Sequence, residues 1–224
     1  MIIVCIPAHN EEENIKQVIT DIKKAMEPNQ YEYEIHVQDD GSTDRTKEIA
    51  ESCGAVVFSN KENLGLAKTF REELKNAKGA DVIVHTDADN QYKAKYIPAL
   101  IKKLAEGNDL VLGSRFLDGN NYSGSPSKSI GNKLFTMLIS FIAGKKFTDV
   151  TTGFRAFNQK VASLRLIDDF TYTYEQLIRT SKANFKIAEV PIETNATRES
   201  RLFKSPIDYA TKASKGLWKI WRDK

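Results

Sequence analysis

The sequence predicts an α/β protein whose mostly parallel sheet is covered by helices. Short β-rich apolar runs alternate with helix-period patterns through the first half of the chain, and polar clusters stand where those runs end. Ile2 to Pro7 reads as a buried first strand. Asn10 then stands as an N-cap, with Glu11, Glu12 and Glu13 in the first helical turn and Ile15, Val18, Ile19 and Ile22 on one helix face. Tyr33 to Gln38 is a second strand ending at Asp39-Asp40-Gly41-Ser42, where Ser42 or Thr43 is expected to cap a helix running to about Cys53. A third strand, Ala55 to Ser59, and a helix containing Leu66, Phe70 and Leu74 lead to a fourth strand, Asp81 to Thr86. A helix through Ile97, Leu100, Ile101 and Leu104 and a strand from Asp109 to Gly113 follow. The polar loop Asp118 to Ser127 is the clearest break, and it precedes an amphipathic stretch from Ile130 to Phe147.

A chain of 224 residues with 41% hydrophobic content carries one substantial core, so residues 1–224 are expected to form a single domain. The net charge of +3 gives no case for nucleic acid as a partner. Cys5 and Cys53 have neither metal-ligand spacing nor a disulfide framework, which fits a reduced, cytoplasmic setting. Met1 to Ile6 lacks the basic start of a signal peptide, and no run reaches the roughly 18 apolar residues of a membrane span. A soluble or peripheral protein is therefore expected.

Chemistry concentrates in Val82-Ile83-Val84-His85-Thr86-Asp87-Ala88-Asp89-Asn90-Gln91, where an apolar strand delivers carboxylates spaced i, i+2 into solvent. If the strand continues, Asp87 and Asp89 point to one side, and Gln91 extends the set to three oxygen ligands. Mg²⁺ or Mn²⁺ prefers such ligands, and Mg²⁺ is usually held by one or two carboxylates together with substrate phosphates. The alternative is an ordinary polar turn. In open α/β sheets ligands bind beyond the carboxyl ends of the strands, and Pro7-Ala8-His9-Asn10-Glu11, Asp39-Asp40-Gly41-Ser42 and the Asp87 cluster would share one crevice there.

These segments, followed by Gly113-Ser114-Arg115 and by Asp149-Val150-Thr151-Thr152-Gly153-Phe154-Arg155-Ala156-Phe157, resemble in order and spacing the inverting family 2 glycosyltransferases, specifically the polyprenyl (dolichyl) phosphate sugar synthase branch. The resemblance implies a GT-A fold, with one Rossmann-like sheet, and a nucleotide-sugar donor. It places Pro7, Ala8, Asn10 and Glu11 along the nucleotide pocket with Asp87 and Ala88, sets Asp39 or Asp40 against base or ribose, and gives the metal to Asp87, Asp89 and Gln91. His9 departs from the aromatic residue often found at its position. Asp89, Arg115 and Arg198 would be catalytic, Arg115 lying near the developing negative charge. A surface ion pair is the alternative for Arg115. Arg155 is either catalytic or fold-stabilising, and Glu175 either faces the sugar or supplies capping charge.

The acceptor side falls in the C-terminal part. Family members carry a basic loop after a Glu-Val-Pro-Ile element, and here Glu189-Val190-Pro191-Ile192 is followed by Arg198, Ser200, Arg201 and Lys204. The loop departs from the usual Gly-containing pattern, and the resemblance assigns the acceptor phosphate to Arg115, Arg198, Arg201 and Lys204. Residues 205–224 mix Tyr209, Leu217, Trp218, Ile220 and Trp221 with Lys212, Lys215, Lys219 and Arg222, a pattern suited to a membrane surface. Core packing of this helix and of Ile130 to Phe147 is the alternative.

The expected reaction is transfer of a hexosyl group from GDP-mannose, UDP-glucose or UDP-N-acetylglucosamine to a polyprenyl phosphate, at the cytoplasmic face of a membrane. Family frequency leans to GDP-mannose. A glycosyltransferase acting on a glycan or protein, and a sugar-1-phosphate nucleotidyltransferase, are the competing enzymes. The nucleotidyltransferase lacks support because no Gly-rich phosphate loop follows the first strand, and the missing Gly-x-Gly-x-x-Gly likewise argues against a dinucleotide-binding protein. A membrane-binding module with a decayed site is the non-enzymatic alternative.

Overall fold

The computed structural model describes residues 1–118, 126–195 and 205–223. A seven-stranded sheet runs in the order β3-β2-β1-β4-β6-β5-β7. Its centre, β1 (Ile2–Ala8), pairs in parallel with β2 (Tyr33–Asp39) and β4 (Val82–His85), and β3 (Val56–Ser59) extends β2. β5 (Leu110–Ser114) pairs in parallel with β7 (Ile187–Pro191). Between β4 and β5 lies the three-residue β6 (Arg155–Phe157), antiparallel to both. Its first residue, Arg155, stands opposite His85 and Leu112, so the chain enters β6 at the edge where the parallel strands end.

Alternation along β1 explains the layers. Val4 and Ile6 face α1 (Ile15–Met26) and α4 (Ile97–Ala105), whose Ile15, Val18, Ile19, Ile22, Leu100 and Leu104 join one buried cluster. Ile3 and Cys5 face the other side, with Phe70 of α3 (Leu66–Asn76), Phe157, and Tyr174, Leu177 and Ile178 of α7 (Thr173–Lys182). α2 (Thr46–Ser52) and the short α6 (Gln159–Ala162) complete the cover.

The sequence-based caps move. Asn10 sits at φ 54° and its side-chain oxygen accepts from the Thr43 amide, so α1 begins only at Ile15 with Asn14 in the N-cap position. Ser42 and Thr43 belong to that same loop contact, and α2 begins at Thr46, whose amide donates to Asp44. Both loops bond to each other where helix termini were expected, because they must turn beside one another at the sheet edge.

Two further helices, α5 (Pro126–Ala143) and α8 (Pro206–Arg222), divide between core and solvent. Ile139 of α5 and Ala213 and Ile220 of α8 are buried, whereas Ile130, Leu134, Met137, Phe141, Trp218 and Trp221 are exposed, Phe141 by 86%. Among the described residues no helix is long and apolar enough to cross a membrane.

Of the two readings of Arg155, the packing favours the fold-stabilising one. The side chain is wholly buried, donates to the carbonyls of Thr152 and Thr173 and to Gln176 Oε1, and lies over the Tyr172 ring. Burial pulls its pKa down. Arg155→Met keeps most of the volume but leaves those acceptors without donors, and is expected to destabilise the fold by at least about 2 kcal/mol in urea unfolding. An unchanged midpoint would remove Arg155 from the fold-determining set.

Candidate active site

The strand β4 ends at His85, although the Thr86 amide still donates to Cys5 O at 3.1 Å. A turn then carries the acidic pair: Asn90 adopts φ 59° and the Gln91 amide donates to Asp89 Oδ1 at 3.0 Å. The i, i+2 spacing therefore does not act through an extended strand; the turn brings the carboxylates together. Gln91 contributes its backbone to this turn, accepting from the Asn195 amide at 2.9 Å as well.

Asp87 has no hydrogen-bond donor among the described residues, and its side chain is 32% exposed. Burial, then repulsion from Asp89, pushes its pKa from 3.8 up to about 6. Two adjoining carboxylates, one with no donor, form an oxygen set that a divalent cation fits. Among the described residues no three His, Cys, Asp or Glu side chains cluster to hold an ion alone, so a cation here would share its shell with ligand oxygens. Gly153 backs the turn. A Cβ there would lie 3.1 Å from Asp87 Oδ1 and 3.3 Å from the Tyr172 hydroxyl, so the glycine of the Thr-Gly-Phe-Arg segment leaves the carboxylate its place.

The loops after β1 and β2 meet beside this turn. The Asp40 amide donates to Ala8 O, Asn10 N to Ser42 Oγ, and Glu11 N to Thr46 Oγ1 at 2.7 Å. Glu11 accepts from Asn14. His9 Nδ1 faces the Asp40 carbonyl at 2.8 Å and so carries the proton, leaving Nε2 to accept from Asn10. Asp39 and Asp40 part company here. Asp40 takes the Leu64 and Gly65 amides and Asn60, and holds the 60–65 loop. Among the described residues Asp39 takes only the Ser42 amide, which leaves it the carboxylate with an oxygen for a ligand. Gly41 between them has φ +67°, and a Cβ there would come within 2.6 Å of the Glu62 backbone.

Arg115, just past β5, is not in the surface ion pair that was its alternative reading. It is buried and makes a bidentate pair with Asp149, Nε to Oδ2 at 2.6 Å and Nη2 to Oδ1 at 2.8 Å, with Thr151 Oγ1 also on Nη2. Burial alone would raise the Asp149 pKa, but the Arg115 charge and hydrogen bonds hold it below the usual carboxylate range. The same guanidinium charge acts to lower the pKa of Asp87, so Arg115 lies within electrostatic reach of the turn. Arg198, Arg201 and Lys204 lie outside the described residues. The segment leading to them is tied to the turn, since Asn195 donates to Asn90 O and Gln91 O and Thr194 bridges Tyr92.

Glu175 lies in the first turn of α7, where a capping charge was the alternative reading. It is fully buried and accepts from the Ile167 and Asp168 amides and from Arg179. The sequence reading passed over Glu73 and His85, a buried pair below Asp87, with His85 Nδ1 2.9 Å from Glu73 Oε2. Burial pushes the Glu73 carboxyl up, with His85 opposing. The available signal was an acid on the apolar face of α3, one turn from Phe70.

A family model described as glycosyl transferase family 2 matches residues 3–165. An uncharacterized protein of Methanocaldococcus jannaschii, MJ1222, is 34% identical over 208 residues, covering 89% of this chain and 83% of its own. A dolichyl-phosphate hexose transferase of Haloferax volcanii is 33% identical over 191 residues, covering 84% and 80%. Two further relatives are matched over 61% and 58% of their own length. The solved glucosyl-3-phosphoglycerate synthase of Mycobacterium tuberculosis, in complex with Mn²⁺, uridine diphosphate and phosphoglyceric acid, superimposes with a TM-score of 0.73 at 22% identity over 99% of this chain and 77% of that one. The likeness bears out the GT-A fold.

The elevated Asp87 pKa fixes the sign of a pH effect. A carboxyl raised on folding contributes stability that is complete below its ordinary value and is lost as pH rises through about 6. In metal-free urea unfolding between about pH 4 and about pH 7, wild type should lose stability relative to Asp87→Asn, and the variant should be the more stable at the upper end. A pH-independent difference between the two would contradict this.

Proposed function

The chain belongs to glycosyl transferase family 2, and on that footing we propose that it is an inverting enzyme that moves a hexosyl group from a nucleotide sugar to a polyprenyl (dolichyl) phosphate, residues 1–224 acting as one catalytic domain. The observation that carries this reading is the Asp87 carboxylate, without a hydrogen-bond donor among the described residues, beside Asp89 at the edge where the β1 and β2 loops meet. Relatives support it, the dolichyl-phosphate hexose transferase among them.

Asp87 and Asp89, with Gln91 beside them, would hold Mg²⁺ or Mn²⁺ against the donor diphosphate. The cation would supply charge neutralisation of the departing nucleoside diphosphate. Asp39 would take the ribose or base through its remaining oxygen, and Pro7, Ala8, Asn10, Glu11 and Ala88 would line the nucleotide. A polyprenyl phosphate is already anionic near neutral pH and attacks the anomeric carbon in line without a strong general base, inverting the linkage. Arg115 and its Asp149 partner would fix the charge of the crevice. Arg198, Arg201 and Lys204, which follow Asn195 in the chain, would take the acceptor phosphate, as the family resemblance implies.

The lipid would lie against α5 and α8. Their exposed Leu134, Met137, Phe141, Trp218 and Trp221 are flanked by exposed Lys133, Lys146, Lys215 and Arg222, as at a lipid surface. An apolar cavity of about 270 Å³ between these helices and α7 is lined by Ile142, Ile178, Leu217 and Trp221.

The test is a donor panel of GDP-mannose, UDP-glucose and UDP-N-acetylglucosamine with polyprenyl phosphate and Mn²⁺. One donor should yield an organic-extractable, lipid-linked sugar, and Asp89→Ala should lower that turnover by about 100-fold or more with an unchanged unfolding midpoint. Transfer only to a soluble phosphorylated acceptor would reject the lipid. Phe141→Asp should weaken cosedimentation with anionic vesicles while leaving the fold unchanged.

A further inference from the structure

Beneath the Asp87 turn, two polar side chains interrupt an otherwise apolar cluster that includes Ile3, Cys5, Phe70 and Ile83. Glu73 of α3 is 3% exposed, and His85, the last residue of β4, is not exposed at all. The imidazole stands edge-on beside the stacked rings of Phe70 and Tyr172, 5.0 Å from each, those two rings lying 3.6 Å apart. Its Nδ1 meets Glu73, but its Nε2 has no hydrogen-bond partner and faces Asp87 Oδ1 at 3.9 Å. A buried ring nitrogen without a partner is costly, and an apolar pair would fill the same space without that cost. Packing alone therefore does not account for Glu73 and His85.

Two groups, each lacking a partner, thus face one another across a gap about 1 Å longer than a hydrogen bond. The arrangement calls for a proton on Nε2. A bare Nε2 would set its lone pair against a carboxylate, whereas a proton on Nε2 points a donor at Asp87 Oδ1 while Nδ1 keeps its contact with Glu73. We propose that Glu73 and His85 are positioning residues for Asp87: the Nε2–H group draws in Oδ1 and leaves the second carboxylate oxygen to the cation. Gly153 confines the carboxylate from another side. The proposal rests on Asp87 being a cation ligand.

The test reads Mn²⁺ binding directly, by electron paramagnetic resonance with GDP and, in parallel, UDP. The double variant Glu73→Leu, His85→Phe leaves no buried polar atom of the pair, and should bind Mn²⁺ about 10-fold more weakly than wild type. Glu73→Gln, whose carboxamide N–H can still donate to Nδ1, should stay within about two-fold. In wild type, ¹⁵N spectra should show the His85 proton on Nε2 in the presence of Mg²⁺ and nucleotide, a readout that does not depend on any variant folding. Wild-type affinity in the double variant, or a bare Nε2, would overturn the proposal. Asp87→Asn separates the two levels. If it alone loses Mn²⁺ while the double variant keeps it, only the positioning role fails; if it also keeps Mn²⁺, the cation assignment of Asp87 fails and the positioning role with it.

Discussion

The buried pair of Arg115 and Asp149 is the contact on which the crevice depends. β6 is three residues long and runs against the direction of both its neighbours, so the chain that enters it must cross the edge where β4 and β5 end. Asp149 anchors that crossing to the end of β5, and Glu189 of β7 accepts from the Thr148 and Asp149 amides beside it. Loss of one charged partner would leave the other unpaired in the interior, which typically costs about 3–5 kcal/mol. What the pair holds in place is the wall behind the acidic turn: Gly153 against Asp87, the Gly153 amide on the Tyr92 hydroxyl, and Phe154 stacked on Tyr92 at 5.3 Å.

That wall backs two adjoining carboxylates. A carboxylate with no donor and a second carboxylate beside it is unfavourable for the metal-free protein, and local stability is sacrificed there as it often is at functional sites. The surrounding loops are tightly bonded by contrast. Asn10, Ser42, Thr43 and Asp40 satisfy one another, and Asp40 also fixes the 60–65 loop. The positive φ values of Asn10 and Asn90 fall in the same crevice, where the chain must turn sharply after β1 and β4. A closely hydrogen-bonded rim around an acidic pair, of which Asp87 has no donor among the described residues, is an arrangement that gains from a bridging cation.

The parallel strands were legible because each is an apolar run closed by a polar cluster, and Ile2 to Pro7 differs from β1 only at its last residue. β6 was not legible. Three residues opening with arginine carry no period, and Arg155 becomes a strand residue only because carbonyls of Thr152 and Thr173 and the Gln176 side chain receive its guanidinium. Caps were misread for a related reason: Asn10, Ser42 and Thr43 have the right chemistry to end a helix, but partners in a neighbouring loop took their hydrogen bonds. Within the site, residue types identified the acidic turn, whereas geometry was needed to divide Asp39 from Asp40 and to bury Arg115. His85 was hidden inside a strand pattern, and its pairing with Glu73 spans elements that periodicity treats separately.

The central claim is that the Asp87–Asp89 turn clamps a cation and a nucleoside diphosphate together. Crystals grown with Mn²⁺ and the donor's nucleoside diphosphate, measured at the manganese absorption edge, test it most directly. A single anomalous peak is expected within coordination distance of both carboxylates and of the diphosphate oxygens. Nucleotide bound in the crevice with no manganese at Asp87 and Asp89, or with the ion held elsewhere, would contradict it.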